Sequence, residues 1–521
     1  MSFLTFRSRY FGFAAFISLV LCILLVILFK SRSYDDPFIT YRYADNLRRG
    51  FGFVYNPGEY VQSTTAPLFA LLLAGLSPLW GDLPRLANLI GAVSLAAGGL
   101  LLWELAAAWK APWAGWAGLI LYPLFPLAIT TIGSETPLYI ALCLGAFVAY
   151  TRQRYHWTAV FAALAALTRP DGLLVSIILA ADYTIRLFRE KAETRSTINV
   201  GEKHRGHAAA SSIPWRAILV FFGLLLPWFL FAWAYFGSPL PVTLAAKQQQ
   251  GAMAVSQRFA QGFLSTLGWY KSWRYELEAV LAVLGLVFVI SRVRQWLLFL
   301  AWPVLYFAAF SFLGVSRYFW YYTPLVPGFL LLAGLGMQAI AGMPMRLRSG
   351  VLYRPLRWNN VAPIFKDLPT RFHLQTAQFL SIIILIILGL AQARALPRLQ
   401  RPDPRFAIYS TVGRWLSANT PLDATVGSLE VGIIGYYAHR PMVDFAGLIQ
   451  PMVATQLTSG SNYEHAASWA VEYYQPNYLV LFPGDFPQLE QGYVAQHCRL
   501  DKTFVGDNFS FDRDLSVYDC Q

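Results

Sequence analysis

The sequence predicts a polytopic α-helical membrane protein of about eleven transmembrane helices, followed by a small extracytoplasmic α/β domain. Two observations carry this. Of 521 residues, 56% are hydrophobic and 13% charged, against about 25% charged in soluble chains. The apolar residues also gather in runs approaching the roughly 17–25 residues that cross a bilayer, and that pattern stops near residue 395.

Candidate spans fall at 11–30, 86–108, 113–131, 137–150, 157–167, 172–187, 215–236, 277–290, 296–313, 323–341 and 376–393. Arg7 and Arg9 precede the first, but that run is long and lacks a small-residue cleavage site, so it reads as a retained anchor. The net charge of +13 comes from basic stretches between spans. Such stretches mark cytoplasmic loops facing anionic headgroups, so no nucleic-acid partner is implied.

Orientation turns on residues 67–80. If they crossed the membrane, the stretch 186–216, with Arg186, Arg189, Lys191, Arg195, Lys203, Arg205 and Arg216, would face outward, against the positive-inside rule. Read as a short interfacial helix, they place 152–156, 186–216, 292–295 and 343–373 on the cytoplasmic side. The outer loop 31–85, the turn around Glu135, residues 237–274 and everything from about 394 then lie outside. The expectation is a multi-pass protein of the plasma (cytoplasmic) membrane with its N-terminus inside. Residues 1–395 form the transmembrane domain and 396–521 a soluble domain, with a helix-like stretch at 406–418 and strand-like runs at 425–428 and 478–482. Of four cysteines, Cys498 and Cys520 fall in the soluble domain and would pair in an oxidising compartment if geometry allows.

The first outer loop reads SYDDPFITYRYADNLRRGFGFVYNPGEYVQSTTAPLFALLLAG. Asp35 and Asp36 stand at the mouth of the first span, before a short amphipathic stretch at 38–47. Two readings are open. One acid caps that helix, with Pro37 at its first position. Alternatively the pair serves as a general base or cation site, since adjacent acids at a low-dielectric boundary raise one pKa. Capping accounts for one acid more easily than two. Gly50-Phe51-Gly52 and Asn56-Pro57-Gly58-Glu59 signal turns, and Tyr41, Tyr43, Tyr55 and Tyr60 offer aromatic faces suited to sugars or to the interface.

At these residues the chain resembles the GT-C superfamily of multi-spanning glycosyltransferases, and is similar to the mycobacterial terminal arabinofuranosyltransferases. Residues 35–43 match a D-D-A-F-I-T-Y-R-Y stretch, 50–59 a G-x-G-x-V-Y-N-P-G-E stretch, and 65–68 a T-x-P-L helix start. The chain departs at Pro37, where the family has Ala, and at 62–66, where it reads E-G-Y-T-N or E-G-Y-T-S. Weaker likenesses follow at 133–137 (G-x-E-T), 168–172 (T-R-P-E-G), 237–247 (G-x-P-L-P with A-K) and 432–444.

The resemblance implies a GT-C-like transmembrane domain and a polyprenyl-phosphate sugar donor. The sugar would pass, with inversion, to a hydroxyl of a glycan, lipid or protein acceptor on the extracytoplasmic face, as in cell-envelope glycan biosynthesis. Such a donor leaves without strong acid help, so the site needs a carboxylate base and cations for the phosphate. Asp35 is the expected base, with Asp36 supporting it or exchanging roles. Glu135 is expected to orient the acceptor or help hold a cation, and Lys247 and Arg317 to neutralise the phosphate. Arg169 would shape the substrate site through an ion pair with Asp171, and Tyr41 and Tyr55 would face substrate. Asp36 and Glu135 are the candidates for a divalent Mg, Ca or Mn ion, which the sequence does not require. Scattered histidines argue against zinc. The lack of a nucleotide-binding fingerprint favours a lipid-linked donor. The rival classes are a lipid-linked sugar flippase, which few intramembrane charges and no inverted repeat disfavour, and a non-catalytic glycan-binding membrane protein.

Overall fold

The computed structural model describes residues 3–199, 213–342, 370–401, 403–459 and 462–520. Two of the basic stretches that set the predicted orientation, at 200–212 and 343–369, lie outside the described residues.

Eleven apolar helices match the predicted spans one for one: α1 (Phe3–Phe29), α4 (Leu83–Ala108), α5 (Pro112–Leu124), α7 (Thr136–Thr151), α8 (Tyr155–Thr168), α9 (Leu173–Asn199), α10 (Trp215–Phe236), α13 (Trp273–Arg292), α14 (Leu297–Leu313), α15 (Val326–Ala341) and α16 (Thr370–Ala393). Between them lie α2 (Pro37–Arg48), α3 (Pro67–Leu76), α6 (Pro126–Thr130), α11 (Thr243–Ala252) and α12 (Phe259–Leu267). The helices of α5, α7 and α8 are short for a bilayer, and six helical stretches among the described residues are long and apolar enough to cross one.

Two differences from the expected spans have local causes. Residues 113–131 form two helices, because Phe125 is extended with ψ 124° ahead of Pro126, and proline disfavours a helical residue before it. The short helix α3 has 10 residues, fewer than the apolar run suggests, because it ends at Ser77-Pro78. In the bundle, α13 and α15 meet at Gly285 and Gly336, where a Cβ would collide with the backbone of Leu332 and Leu281. Small residues of this kind let helices approach closely in lipid.

The C-terminal segment contains α17 (Pro404–Asn419), α18 (Gly432–Ala438) and α19 (Glu464–Tyr474) around five strands: β1 (Val426–Ser428), β2 (Met442–Asp444), β3 (Tyr478–Leu481), β4 (Arg499–Phe504) and β5 (Leu515–Asp519). The sheet order is β2-β1-β3-β5-β4; β1 runs parallel to β2 and β3, while β5 is antiparallel to β3 and β4. Cys498 and Cys520 form a disulfide across the β4–β5 pair.

This domain shares one hydrophobic core with the first outer loop. Phe38, Tyr43, Tyr55 and Phe69 of the loop pack with Ile408, Val412, Ile433 and Ile434 of the domain. Buried Arg42 bonds the carbonyls of Tyr55 at 2.9 Å and Arg440 at 2.8 Å, and also that of Gly435. The Asn56 amide pairs with both backbone groups of Met442 at 2.9 Å, so the loop continues the hydrogen bonding of β2.

Candidate active site

Asp35 and Asp36 are neighbours that serve different bodies. The Asp35 carboxylate accepts the backbone N–H of Ile433 at 2.7 Å and of Gly432 at 3.0 Å, at the first turn of α18, with Glu430 close by. Burial, helped by Asp36, raises Asp35 to about 6, and burial, helped by Asp35, raises Glu430 to about 8. Asp36 stands at the N-cap position of α2 but makes no side-chain cap bond. Its carboxylate faces a cavity of about 380 Å³. Of the two readings the sequence left open, capping of the loop helix is made by neither side chain, and Asp35 instead caps a helix of the other domain.

Inside the cavity the Lys247 ammonium lies 3.7 Å from Asp36 Oδ2 and within 5.1–5.8 Å of the ring centres of Tyr318, Tyr321 and Trp320. Burial would lower this ammonium, but Asp36 and Tyr321 outweigh it and raise it. The sequence places Lys247 here because α11 starts directly after the Gly237-Ser238-Pro239-Leu240-Pro241 turn.

Arg169 reaches the same cavity from the end of α8. It binds Asp171 at 3.0 Å and Glu135 at 3.4 Å, with Tyr306 Oη at 3.5 Å. The tight turn that aims it requires Gly172, where a Cβ would meet the backbone of Ala165 at 2.5 Å. Burial raises Glu135 and Arg169 opposes that rise.

Hydroxyl-bearing residues, among them Ser63, Thr65, Ser134 and Thr243, line one wall, and Leu173, Ile177, Leu240, Leu244, Phe310 and Leu313 form an apolar part. Ile177 and Leu240 continue onto the outer surface, at 62% and 59% exposure. One end is therefore ionic and the other greasy and open at the side.

Of the predicted residues, Asp36, Glu135, Arg169 and Lys247 converge on this cavity and Asp35 turns away from it. Arg317 is corrected: it bonds Gln257 at 3.0 Å, lies over Trp269 and is outside the lining. Tyr41 and Tyr55 are corrected too. Each is 2% exposed, with its hydroxyl bound to the carbonyl of Gly133 and of Val431 respectively, so they fix the loop and present no face to substrate. Glu430 and Thr243 were missed, because nothing local in the sequence distinguishes them from ordinary polar loop residues, and Thr65 was read only as part of a helix start. Among the described residues no cluster of three or more His, Cys, Asp or Glu could hold a metal. The candidate pair Asp36 and Glu135 has the Lys247 charge beside it, a poor match to the six or more oxygens of a hard cation.

A family model described as a domain of unknown function (DUF8728) matches residues 398–518. No curated protein matches the chain. Among solved structures, ArnT from Cupriavidus metallidurans bound to undecaprenyl phosphate is similar at 16% identity, covering 97% of this chain and 98% of that one with a TM-score of 0.56. The Archaeoglobus fulgidus oligosaccharyltransferase, tethered to an acceptor peptide, is similar at 14% identity over 93% of this chain and 70% of that one, with a TM-score of 0.55. At these identities the likeness is one of fold, and the chain has the GT-C fold: a polytopic helical membrane domain with a small C-terminal sheet domain.

Proposed function

We propose that this protein is a membrane glycosyltransferase that moves a sugar from a polyprenyl-phosphate donor to an acceptor hydroxyl, with inversion. The observation that carries the reading is the cavity itself, where a buried ammonium and a carboxylate free of backbone bonds sit at one end of an apolar trough open at the side. A phosphate on a long hydrocarbon needs that combination, and a nucleotide sugar does not. The fold shared with a structure bound to undecaprenyl phosphate supports it.

In this mechanism the prenyl chain lies against Leu173, Ile177 and Leu244, and its phosphate takes the Lys247 ammonium. Arg169 adds positive charge from behind. The acceptor oxygen attacks the anomeric carbon, Asp36 takes the hydroxyl proton, and the bond from that carbon to the phosphate oxygen breaks. The leaving phosphate stays on Lys247, which stabilises the charge that develops there. Asp36 thus replaces Asp35 as base, and Asp35 becomes the anchor of the C-terminal domain.

The site lies at the extracytoplasmic end. The even alternation of eleven helices puts α2, α3, α11 and the C-terminal domain at one end of the bundle and the Arg186–Asp182 pair at the other. The Cys498–Cys520 disulfide suits an oxidising compartment. The motif likeness to arabinofuranosyltransferases adds pentosyl donors to hexosyl ones as candidates, and a glycan, lipid or protein remains the acceptor class.

The test is mass spectrometry of lipids held by purified Asp36→Asn protein, followed by incubation of wild type with polyprenyl-phosphate sugars and radiolabelled acceptor glycans. A trapped sugar-phosphate lipid and wild-type release of polyprenyl phosphate are expected. Transfer of the lipid across proteoliposomes without sugar release would replace this reading with the flippase.

A further inference from the structure

The part of the cavity wall formed by residues 63–65 is rich in hydroxyls. Ser63 and Thr64 are buried and their hydroxyls are committed, to Tyr43 at 2.7 Å and to Thr40 at 3.0 Å. Thr65 differs. It is partly exposed, lines the cavity, and its hydroxyl has no protein partner among the described residues.

A second hydroxyl stands in the same wall. Val242 N–H donates to the Gln62 carbonyl at 3.0 Å, which joins the start of α11 to this segment. The next residue, Thr243, also lines the cavity. It is 4% exposed, and its Oγ1 is buried without a hydrogen-bond partner. Buried hydroxyls are nearly always paired, and one left unpaired is costly.

Neither hydroxyl has a task in holding a lipid phosphate. The phosphate has Lys247 and the chain has the leucines, which leaves the sugar as the one hydroxyl-bearing part of the donor. We infer that Thr65 and Thr243 bind ring hydroxyls of the donor's sugar and determine which sugar is accepted. This rests on the donor reading above. At about 380 Å³ the cavity falls within the range of small-ligand sites, roughly 300–1,000 Å³.

The experiment measures binding of two probes to wild type, Thr65→Val, Thr243→Val and Thr65→Ser in nanodiscs. The probes are undecaprenyl phosphate alone and undecaprenyl phosphate bearing one glucose, mannose or arabinose. Wild type is expected to prefer one sugar-bearing lipid over the bare one. Each Val variant keeps the bare lipid and loses that preference by about tenfold or more, as sites built to bond a hydroxyl do, while Thr65→Ser retains it. Bare-lipid binding doubles as the control for folding. Both Val variants keeping the wild-type preference would overturn the inference and leave the donor reading standing. Wild type that binds neither probe would overturn the donor reading and this inference together.

Discussion

Lys247 holds its ammonium 3.7 Å from the Asp36 carboxylate, so the proposed phosphate ligand and the proposed base are partners before any donor arrives. A phosphate that takes the ammonium releases the carboxylate. Donor binding would then free the base, which predicts an order in which the donor binds before the acceptor proton moves.

Asp36→Asn should lower transfer by about 10²–10⁴-fold, the usual contribution of a positioned general base, while donor binding survives. Asp35→Asn should lower activity far less, since Asp35 faces Gly432 and Ile433 and lies outside the cavity lining. Initial rates with one labelled donor decide between them. Equal losses in the two variants would return the base role to the pair.

Lys247→Met removes the ammonium and keeps the length of the side chain. Charge-assisted bonds contribute about 1.5–3 kcal/mol, so donor Kd should rise by roughly tenfold to a hundredfold. Arg317→Met, on the outer surface beside Trp269, should leave donor Kd unchanged. A shared loss would mean that the phosphate reaches beyond the cavity.

Burial raises Glu135 above the ordinary carboxylate range. With Asp36, Asp171, Lys247 and Arg169 in the same lining, an ionised Glu135 leaves the cavity with an excess negative charge that opposes a phosphate. Protonated Glu135 removes it. Donor affinity should therefore fall as pH rises through the raised Glu135 range, and Glu135→Gln should make it flat. Affinity that instead depends on added Mg²⁺ or Mn²⁺ and is lost with a chelator would assign the balance to a divalent cation at Asp36 and Glu135.

The helices were legible because an apolar run is a local property, and so were Asp36, Glu135 and Lys247, each of which follows a span or a turn motif. What stayed hidden depends on partners far away in sequence. Asp35 and Asp36 are indistinguishable as text, and only the approach of Gly432, nearly four hundred residues later, turns one of them aside. Tyr41 and Tyr55 look like sugar platforms until the C-terminal domain is known to bury them. Arg317 stands among aromatic residues in sequence just as Lys247 does in space, but the 3-10 helix Phe319–Leu325 and the residue before it set Tyr318, Trp320 and Tyr321 around Lys247.

Asp35 stands at the seam between the domains, bonded to Gly432 and Ile433. Burial raises both Asp35 and Glu430, to about 6 and about 8, with Asp36 adding to the rise at Asp35 and Asp35 to the rise at Glu430. A carboxyl raised in the folded state binds its proton more tightly there than when unfolded, so its stabilisation is complete below the ordinary range near 4 and is lost as pH climbs through the raised value. Hydrogen exchange at Gly432 and Ile433 should accordingly quicken between about pH 6 and 8. Glu430→Gln removes the repelling charge, leaves the Asp35 bonds in place, and should suppress that rise. Gly432→Ala should loosen the seam at every pH, because a Cβ there would collide with Asp35, at a cost of roughly 1–3 kcal/mol. Protection that is equal at pH 6 and 8.5 in wild type, after correction for the intrinsic exchange rate, would show that the two carboxyls do not share the seam's proton.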